Sequence, residues 1–446
     1  MAGVTLFLEP QFRTAEADRL WSEPERLARM IAFEVALAAA EADCGVIPEP
    51  AAAAIAAAGA AEGPDATSIF EAARDAGNPA IPFVSAFTAH VTAIDRDAGR
   101  FVHFGATSQD VIDTAHMLAM KATCDQVRRD LGRIARQLAA FATGYAETPI
   151  AARTLLQQAT PITFGAKVGH WLFAIKRADA QLERLAAEDL LVQLAGASGT
   201  LAVLAEAGPA VRASLARRLG LGDPGGNWQT SRGPLLTIAS ALVGAIQAAA
   251  KIAGDIQLLA ATEFGELAET LRAGGGGSSA MPHKRNPVDS LVPVAAAQLA
   301  GGLLASLVGA GVQEQERSPG HWHAEWIILP LVSTLALASI DRLAALVEGL
   351  TIDASRMLSN LDLLNGLLAS EALASALASH LGRAEAKALS GDLVARCRDE
   401  NRHLRDLAAA DPRVTAVLSA DRLAAIFSYA EAIAAAAADA RRSAMI

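Results

Sequence analysis

Residues 274–287 read GGGGSSAMPHKRNP and carry the densest chemistry in the chain. Four consecutive glycines give a backbone that can swing and approach a ligand closely. Two hydroxyls follow, Ser278 and Ser279, and Lys284 and Asn286 stand just before Pro287. Proline suits the first turn of a helix, so the spacing predicts a helix opening at Pro287 with free N–H groups for an anion. A mobile loop with a hydroxyl for proton transfer and a Lys/Asn clamp is suited to a carboxylate on which charge builds during reaction. The bland alternative is a flexible linker with a basic tip. Its position between two long helical stretches counts against that.

Three other segments could contribute. Residues 103–110 (HFGATSQD) offer Thr107 and Asp110 as a capping box, with Thr107, Ser108 and the helix start able to hold a carboxylate beside His103. Residues 153–161 (RTLLQQATP) place Thr160 and Pro161 as N-cap and first residue of another helix, with Gln157 and Thr160 within reach of a ligand. Residues 314–326 (EQERSPGHWHAEW) gather Arg317, His321, His323, Glu325 and two tryptophans. Their spacing matches no HExxH or EF-hand pattern, so a metal is not expected. Arg317 suits bidentate recognition of a carboxylate.

The elements that must position these residues are helical. Residues 26–42 place Leu27, Met30, Ile31, Val35 and Leu37 near one helical face. Beyond residue 110, helical stretches are predicted at about 110–146, 161–194, 234–271, 287–313 and 327–350, separated by short Gly- or Pro-containing breaks. Such helices would reach roughly 40–55 Å, which favours a long bundle with spare apolar faces. Strand-like alternation is scarce. From about Thr351 the helices shorten again.

Composition narrows the function further. The 446 residues include 38 Lys plus Arg against 48 Asp plus Glu, a net charge of −10. With no basic excess, a general nucleic-acid surface is excluded. Cys44, Cys124 and Cys397 are far apart and odd in number, which supports neither a disulfide framework nor a structural zinc. The N-terminus lacks the pattern of a signal peptide, so the cytoplasm is expected. Residues 291–312 carry no charge and could span a bilayer. Pro293, Gln298 and the absence of Trp or Tyr at either end favour a helix buried among subunits instead.

These residues together are recognisable. GSSAMPHKRNP resembles the signature loop of the fumarase/aspartase superfamily, which includes adenylosuccinate lyase, argininosuccinate lyase and class II fumarase. HFGATSQD and RTLLQQATP resemble its other two active-site segments, in the expected order. The stretches WSEPERLARMIAFEVALAAAEADCGVIP, AGNPAIPFV, ERSPGHWHAEW and NLDLLNGLLASEAL resemble its muconate-lactonizing branch, and the likeness runs from about residue 6 to 430. The resemblance implies an all-α, three-domain chain (1–110, 111–350 and 351–446). It also implies a homotetramer with a 20-helix core and active sites built from three segments on three subunits. No cofactor and no metal are implied. The implied substrate is a small tricarboxylate, 3-carboxy-cis,cis-muconate, closed to a lactone by its own carboxylate through an aci-carboxylate intermediate.

By position, Ser278 would move the proton at the α-carbon, and Lys284 and Asn286 would hold the carboxylate that becomes the aci-acid. Thr107, Ser108, Gln157, Thr160, Ser279, Met281 and Arg317 would bind the rest of the substrate, and His103 is a second acid/base candidate. One departure bears on chemistry. Many superfamily lyases carry histidine where this chain has Leu155. A leucine cannot protonate a leaving amine, whereas a lactonizing enzyme uses the substrate's own ionised carboxylate. Adenylosuccinate-type elimination and a sulfonated muconate substrate stand as the alternatives.

Overall fold

The structure, a computed structural model, describes residues 8–270, 275–277 and 280–445. In chain order the helices are α1 (Ala15–Leu20), α2 (Glu23–Asp43), α3 (Glu49–Ala60), α4 (Ala66–Ala76), α5 (Ala80–Ile94) and α6 (Ser108–Gly144). A hairpin follows, β1 (Pro149–Thr154) and β2 (Gln157–Thr163), then α7 (Phe164–Asp189), α8 (Gly208–Leu219) and α9 (Gly233–Leu259). Next come β3 (Leu267–Ala268), α10 (Leu291–Ala310), α11 (His321–Glu348) and β4 (Thr351–Ile352), which pairs antiparallel with β3. Short helices complete the chain: α12 (Ala354–Leu361), α13 (Ser370–Leu381), α14 (Arg383–Asp399), α15 (Leu404–Ala410), α16 (Pro412–Thr415), α17 (Ala420–Phe427) and α18 (Ala430–Met445).

Contacts group the chain into two compact units, one of residues 1–131, 177–251 and 291–343, the other of 132–176, 252–290 and 344–446. In the first unit, α2 opens with Ser22 accepting from the Glu25 N–H and with proline in its first turn. Its buried face carries Leu27, Met30, Phe33 and Leu37, and also Glu34 and Glu41. The opening turns of α6 are buried nearly all round, including Gln109, Asp110 and Asp113. The Trp21 indole donates to Ser333 Oγ at 2.8 Å, tying α11 into this core.

In the second unit, Tyr145, Phe164 and Trp171 stack edge to face in series, and the Trp171 indole donates to Asp255 at 2.7 Å. The C-terminal helices enclose their own cluster, including Leu373, Leu377, Leu393, Cys397, Leu404, Leu407 and Val414.

Three sequence expectations change here. Residues 157–163 do not open a helix: they pair with β1, and Thr160 and Pro161 lie in β2. Helix α7 begins at Phe164, where Thr163 Oγ1 accepts from the Ala166 N–H at 3.1 Å. The hydroxyl–proline pair mimics a cap, but the strand partner satisfies the backbone first. Nor does a helix open at Pro287, since α10 begins at Leu291. Helix α9 stops at Leu259 instead of near 271, and the turns that follow, with Gly265 at φ 59°, lead into β3.

Helices α9, α10 and α11 are each long and apolar enough to cross a membrane. They differ in cover: 78% of the apolar window of α11 is buried, but only 28% of that of α10. Leu291, Leu299 and Val308 of α10 are about half exposed.

Candidate active site

In the first unit, the turn before α6 and the loop before α11 meet. Arg317 donates from Nη2 to Thr107 Oγ1 at 2.9 Å and from Nε to Gln109 Oε1 at 3.1 Å. The capping box is half realised. Asp110 accepts from the Thr107 N–H at 3.0 Å, as a capping acid should, but the Thr107 hydroxyl serves Arg317. Asp110 is fully buried and also accepts from the Ala195 and Gly196 N–H groups at 2.9 and 3.0 Å. Burial nonetheless pushes its carboxyl up to about 7. Ser108, half-buried, is the first residue of α6.

His103 sits on the same turn in the left-handed region, φ 59°. Such a backbone costs about 1–3 kcal/mol for a non-glycine residue and clusters at functional sites. Glu34 accounts for it. Its carboxylate accepts the His103 backbone N–H at 2.9 Å and lies 2.6 Å from Nδ1. Burial opposes protonation of His103, but the Glu34 charge and hydrogen bond, aided by Asp110, outweigh it and raise the imidazole above its ordinary value. The result is a carboxylate-backed histidine with Nε2 left for a ligand. Glu41, one face-repeat along α2, has no hydrogen-bond partner for either oxygen among the described residues, and burial first, then the Glu34 charge, pushes it up to about 9.

In the second unit, Arg153 grips Glu266 with two bonds of 2.7 and 2.9 Å, and Asn360 donates to the same carboxylate at 2.8 Å. This pins the hairpin. Its two-residue tip is Leu155-Leu156, at φ 50° and 64°. A tight hairpin demands two left-handed residues and normally takes Asn-Gly there. Leu155 is 97% exposed and presents hydrocarbon, with no proton donor. Gln157 is exposed beside it. Thr160 lines a cavity of about 560 Å³ whose walls carry Glu371, Glu431 and Asp439 but no lysine or arginine. Its charge is wrong for a tricarboxylate.

Ser278 and Ser279 lie outside the described residues. Of the rest of that loop, Met281 and Lys284 are exposed, and Lys284 has no acidic partner among the described residues. The Asn286 N–H donates to the Gly276 carbonyl at 2.8 Å. The anion nest expected at the next helix exists, but the chain fills it. Glu269 accepts from the N–H groups of Val288, Asp289 and Ser290 at 2.7, 2.9 and 3.2 Å. Those groups are therefore not free for substrate, which corrects the reading of Pro287 as an open helix terminus.

The structure thus joins Thr107 to Arg317, places His103 on the same turn, and leaves Gln157 and Thr160 without a hydrogen bond to Lys284 or Asn286 among the described residues. Glu34, Glu269, Asp113 and Arg232 escaped sequence reasoning, and Glu325 was seen there only as a member of the 314–326 cluster, not as a partner of Arg232. A partial signal existed for some of them: acids on an apolar face of α2, and single charges at or inside the apolar runs of α9 and α11.

A mostly helical fold with these segments defines a class. The lyase family model matches residues 10–301, and the model of the adenylosuccinate lyase C-terminus matches residues 366–442. This chain belongs to that lyase family. It is 43% identical to the 3-carboxy-cis,cis-muconate cycloisomerase of Bradyrhizobium diazoefficiens, over 94% of this chain and 93% of the relative. It is 44% identical to the cycloisomerase of the same name from Pseudomonas aeruginosa, over 92% and 90%. The crystal structure of 3-carboxy-cis,cis-muconate lactonizing enzyme from Pseudomonas putida superposes with a TM-score of 0.91 at 39% identity, covering 99% of this chain and 98% of that one.

Proposed function

We propose that this protein is a cycloisomerase that closes 3-carboxy-cis,cis-muconate to carboxymuconolactone. A substrate carboxylate oxygen adds to one end of a C=C bond, and a proton goes to the other end, α to a second carboxylate. One carboxylate becomes a neutral ester, so each turnover takes up one proton from solvent. Between the two events the α-carboxylate carries additional negative charge, which Lys284 and Asn286 stabilise and Ser278 discharges by delivering the proton. Arg317, Thr107 and Ser108 hold a carboxylate that does not react, and Gln157 assists. His103, its imidazole raised above its ordinary value by Glu34, stands on the same turn as a second acid/base candidate.

The observation that carries this reading is the hairpin tip. Elimination of an amine needs a proton donor at Leu155, and that position offers only hydrocarbon. An internal carboxylate nucleophile needs none. A side-by-side assay tests it: the lactone should appear by NMR from 3-carboxy-cis,cis-muconate, with no fumarate released from adenylosuccinate. Fumarate release would favour elimination, and turnover of a sulfonated muconate alone would move the substrate.

The bare face of α10 and the strained, exposed leucine tip support self-association, and a homotetramer with a 20-helix core is the assembly proposed. In it the three segments of each site come from three subunits, and the three-domain division at 110 and 350 applies to each chain. No cofactor or metal is required by the reaction as written. The setting proposed is aromatic-acid breakdown in the cytoplasm.

A further inference from the structure

Arg317 is half-buried, and two of the groups around it, Gln109 and Trp322, are fixed by one carboxylate. Asp113 is fully buried on α6 and accepts four hydrogen bonds. Arg232 supplies two, from Nη1 at 2.8 Å and Nη2 at 3.1 Å. Trp322 Nε1 supplies one at 2.9 Å, and Gln109 Nε2 one at 3.2 Å. A carboxylate has about four acceptor directions, so Asp113 is saturated. Arg232 is in turn held from the other side by Glu325, at 2.9 and 2.6 Å, and is 2% exposed.

The consequence falls on Gln109. An amide has a donor end and an acceptor end, and only one orientation satisfies both sides of this residue. Gln109 Nε2 donates to Asp113 and to the Gln229 carbonyl, the latter at 2.7 Å. Both are acceptors only, so Gln109 Oε1 must face Arg317, where it receives Nε at 3.1 Å. The same carboxylate locks the Trp322 indole, whose ring lies 5.7 Å from the Arg317 guanidinium carbon. With Nε committed to Gln109 and Nη2 to Thr107, the guanidinium is held in one plane, and Nη1 is left to complete a grip on an anion.

We propose that Asp113 is a positioning residue for substrate binding, acting through Gln109 and Trp322 to set the plane of Arg317. This rests on the assignment of Arg317 to a substrate carboxylate. An arginine loose about its terminal torsions would lose the two-point geometry, so the effect belongs in KM more than in kcat.

The test is a double-mutant cycle on the full-length protein, with 3-carboxy-cis,cis-muconate as substrate. Arg317→Lys should raise KM at least tenfold. Gln109→Met removes the amide at nearly constant volume, and Trp322→Phe removes the indole N–H along with the second ring while keeping an aromatic face; each should raise KM several-fold with kcat within about twofold. In the Arg317→Lys background both should add little, because the plane they set is gone. Asp113→Asn should reproduce the combined effect. If it fails to fold, the Gln109 and Trp322 variants carry the test, since both leave the Asp113–Arg232 pair in place. Normal KM in Arg317→Lys overturns the assignment of Arg317 and this proposal with it. A raised KM in Arg317→Lys, with no change in the other two or with fully additive effects, overturns the positioning role alone.

Discussion

Glu269 closes the base of the signature segment, and removing it should open that segment without unfolding the protein. The carboxylate receives three backbone N–H bonds across 19 to 21 residues of chain. Hydrogen bonds to a charged group contribute about 1.5–3 kcal/mol each when well buried. Glu269 is half-exposed, and the third bond is long, so about 2–3 kcal/mol in total is reasonable for Glu269→Ala. That energy acts on local opening, which is cheaper than global unfolding. Lys284 and Arg285 are exposed on the same segment and make it a trypsin target. When cleavage follows the open population, a loss of this size speeds cutting at 284–286 by about 30- to 150-fold. The assay is limited proteolysis with mass spectrometry, run beside thermal unfolding. Turnover should fall in parallel, because Asn286 lies two residues before the first clamped N–H. Glu269→Asp should recover part of the protection. Unchanged cleavage at 284–286 in Glu269→Ala would refute the clamp.

Other outcomes follow from the buried charges and the bare helix. Glu41, at about 9, binds a proton in the folded state that it loses near pH 4.5 when unfolded, so its burial costs stability increasingly as pH rises between those values, up to about 3 kcal/mol at pH 7. Glu41→Gln should therefore gain Tm over the parent more at pH 8 than at pH 5; a pH-independent difference would contradict this. Glu34→Gln removes what raises His103, so the imidazole titration followed by NMR should move down, and the stability the pair gives below about pH 6.5 should vanish. An unmoved titration would break the dyad. Leu299→Glu places a charge on the uncovered face of α10, and sedimentation should show smaller species than the parent. An unchanged assembly state would exclude that face from the interface.

Much of this was legible in the sequence because helices announce themselves through period and caps. The position of α6 and the turn at Gly105 follow from residues 103–110 alone. The hairpin did not, because Leu155 and Leu156 are the wrong residues for its turn, and Thr160-Pro161 imitates a helix start. Residue type alone singled out Arg317 and Lys284 as candidates, and Arg317 is found hydrogen-bonded to Thr107 and Gln109. The site was hidden where a role depends on a distant partner. Glu269 fills a nest 19 residues away, Glu34 reaches across 69 residues to His103, and Asp113 organises groups more than 200 residues apart. No local pattern encodes such pairings.

The central claim is intramolecular lactonisation by the chain's own side chains. Mixing the purified protein with 3-carboxy-cis,cis-muconate and EDTA in a lightly buffered solution tests it, with diene absorbance and pH-stat titration read together. The account predicts loss of the diene with one proton consumed per molecule, and near-abolition of both in Ser278→Ala. A preserved diene, turnover only on adding metal, or full activity in Ser278→Ala would contradict it.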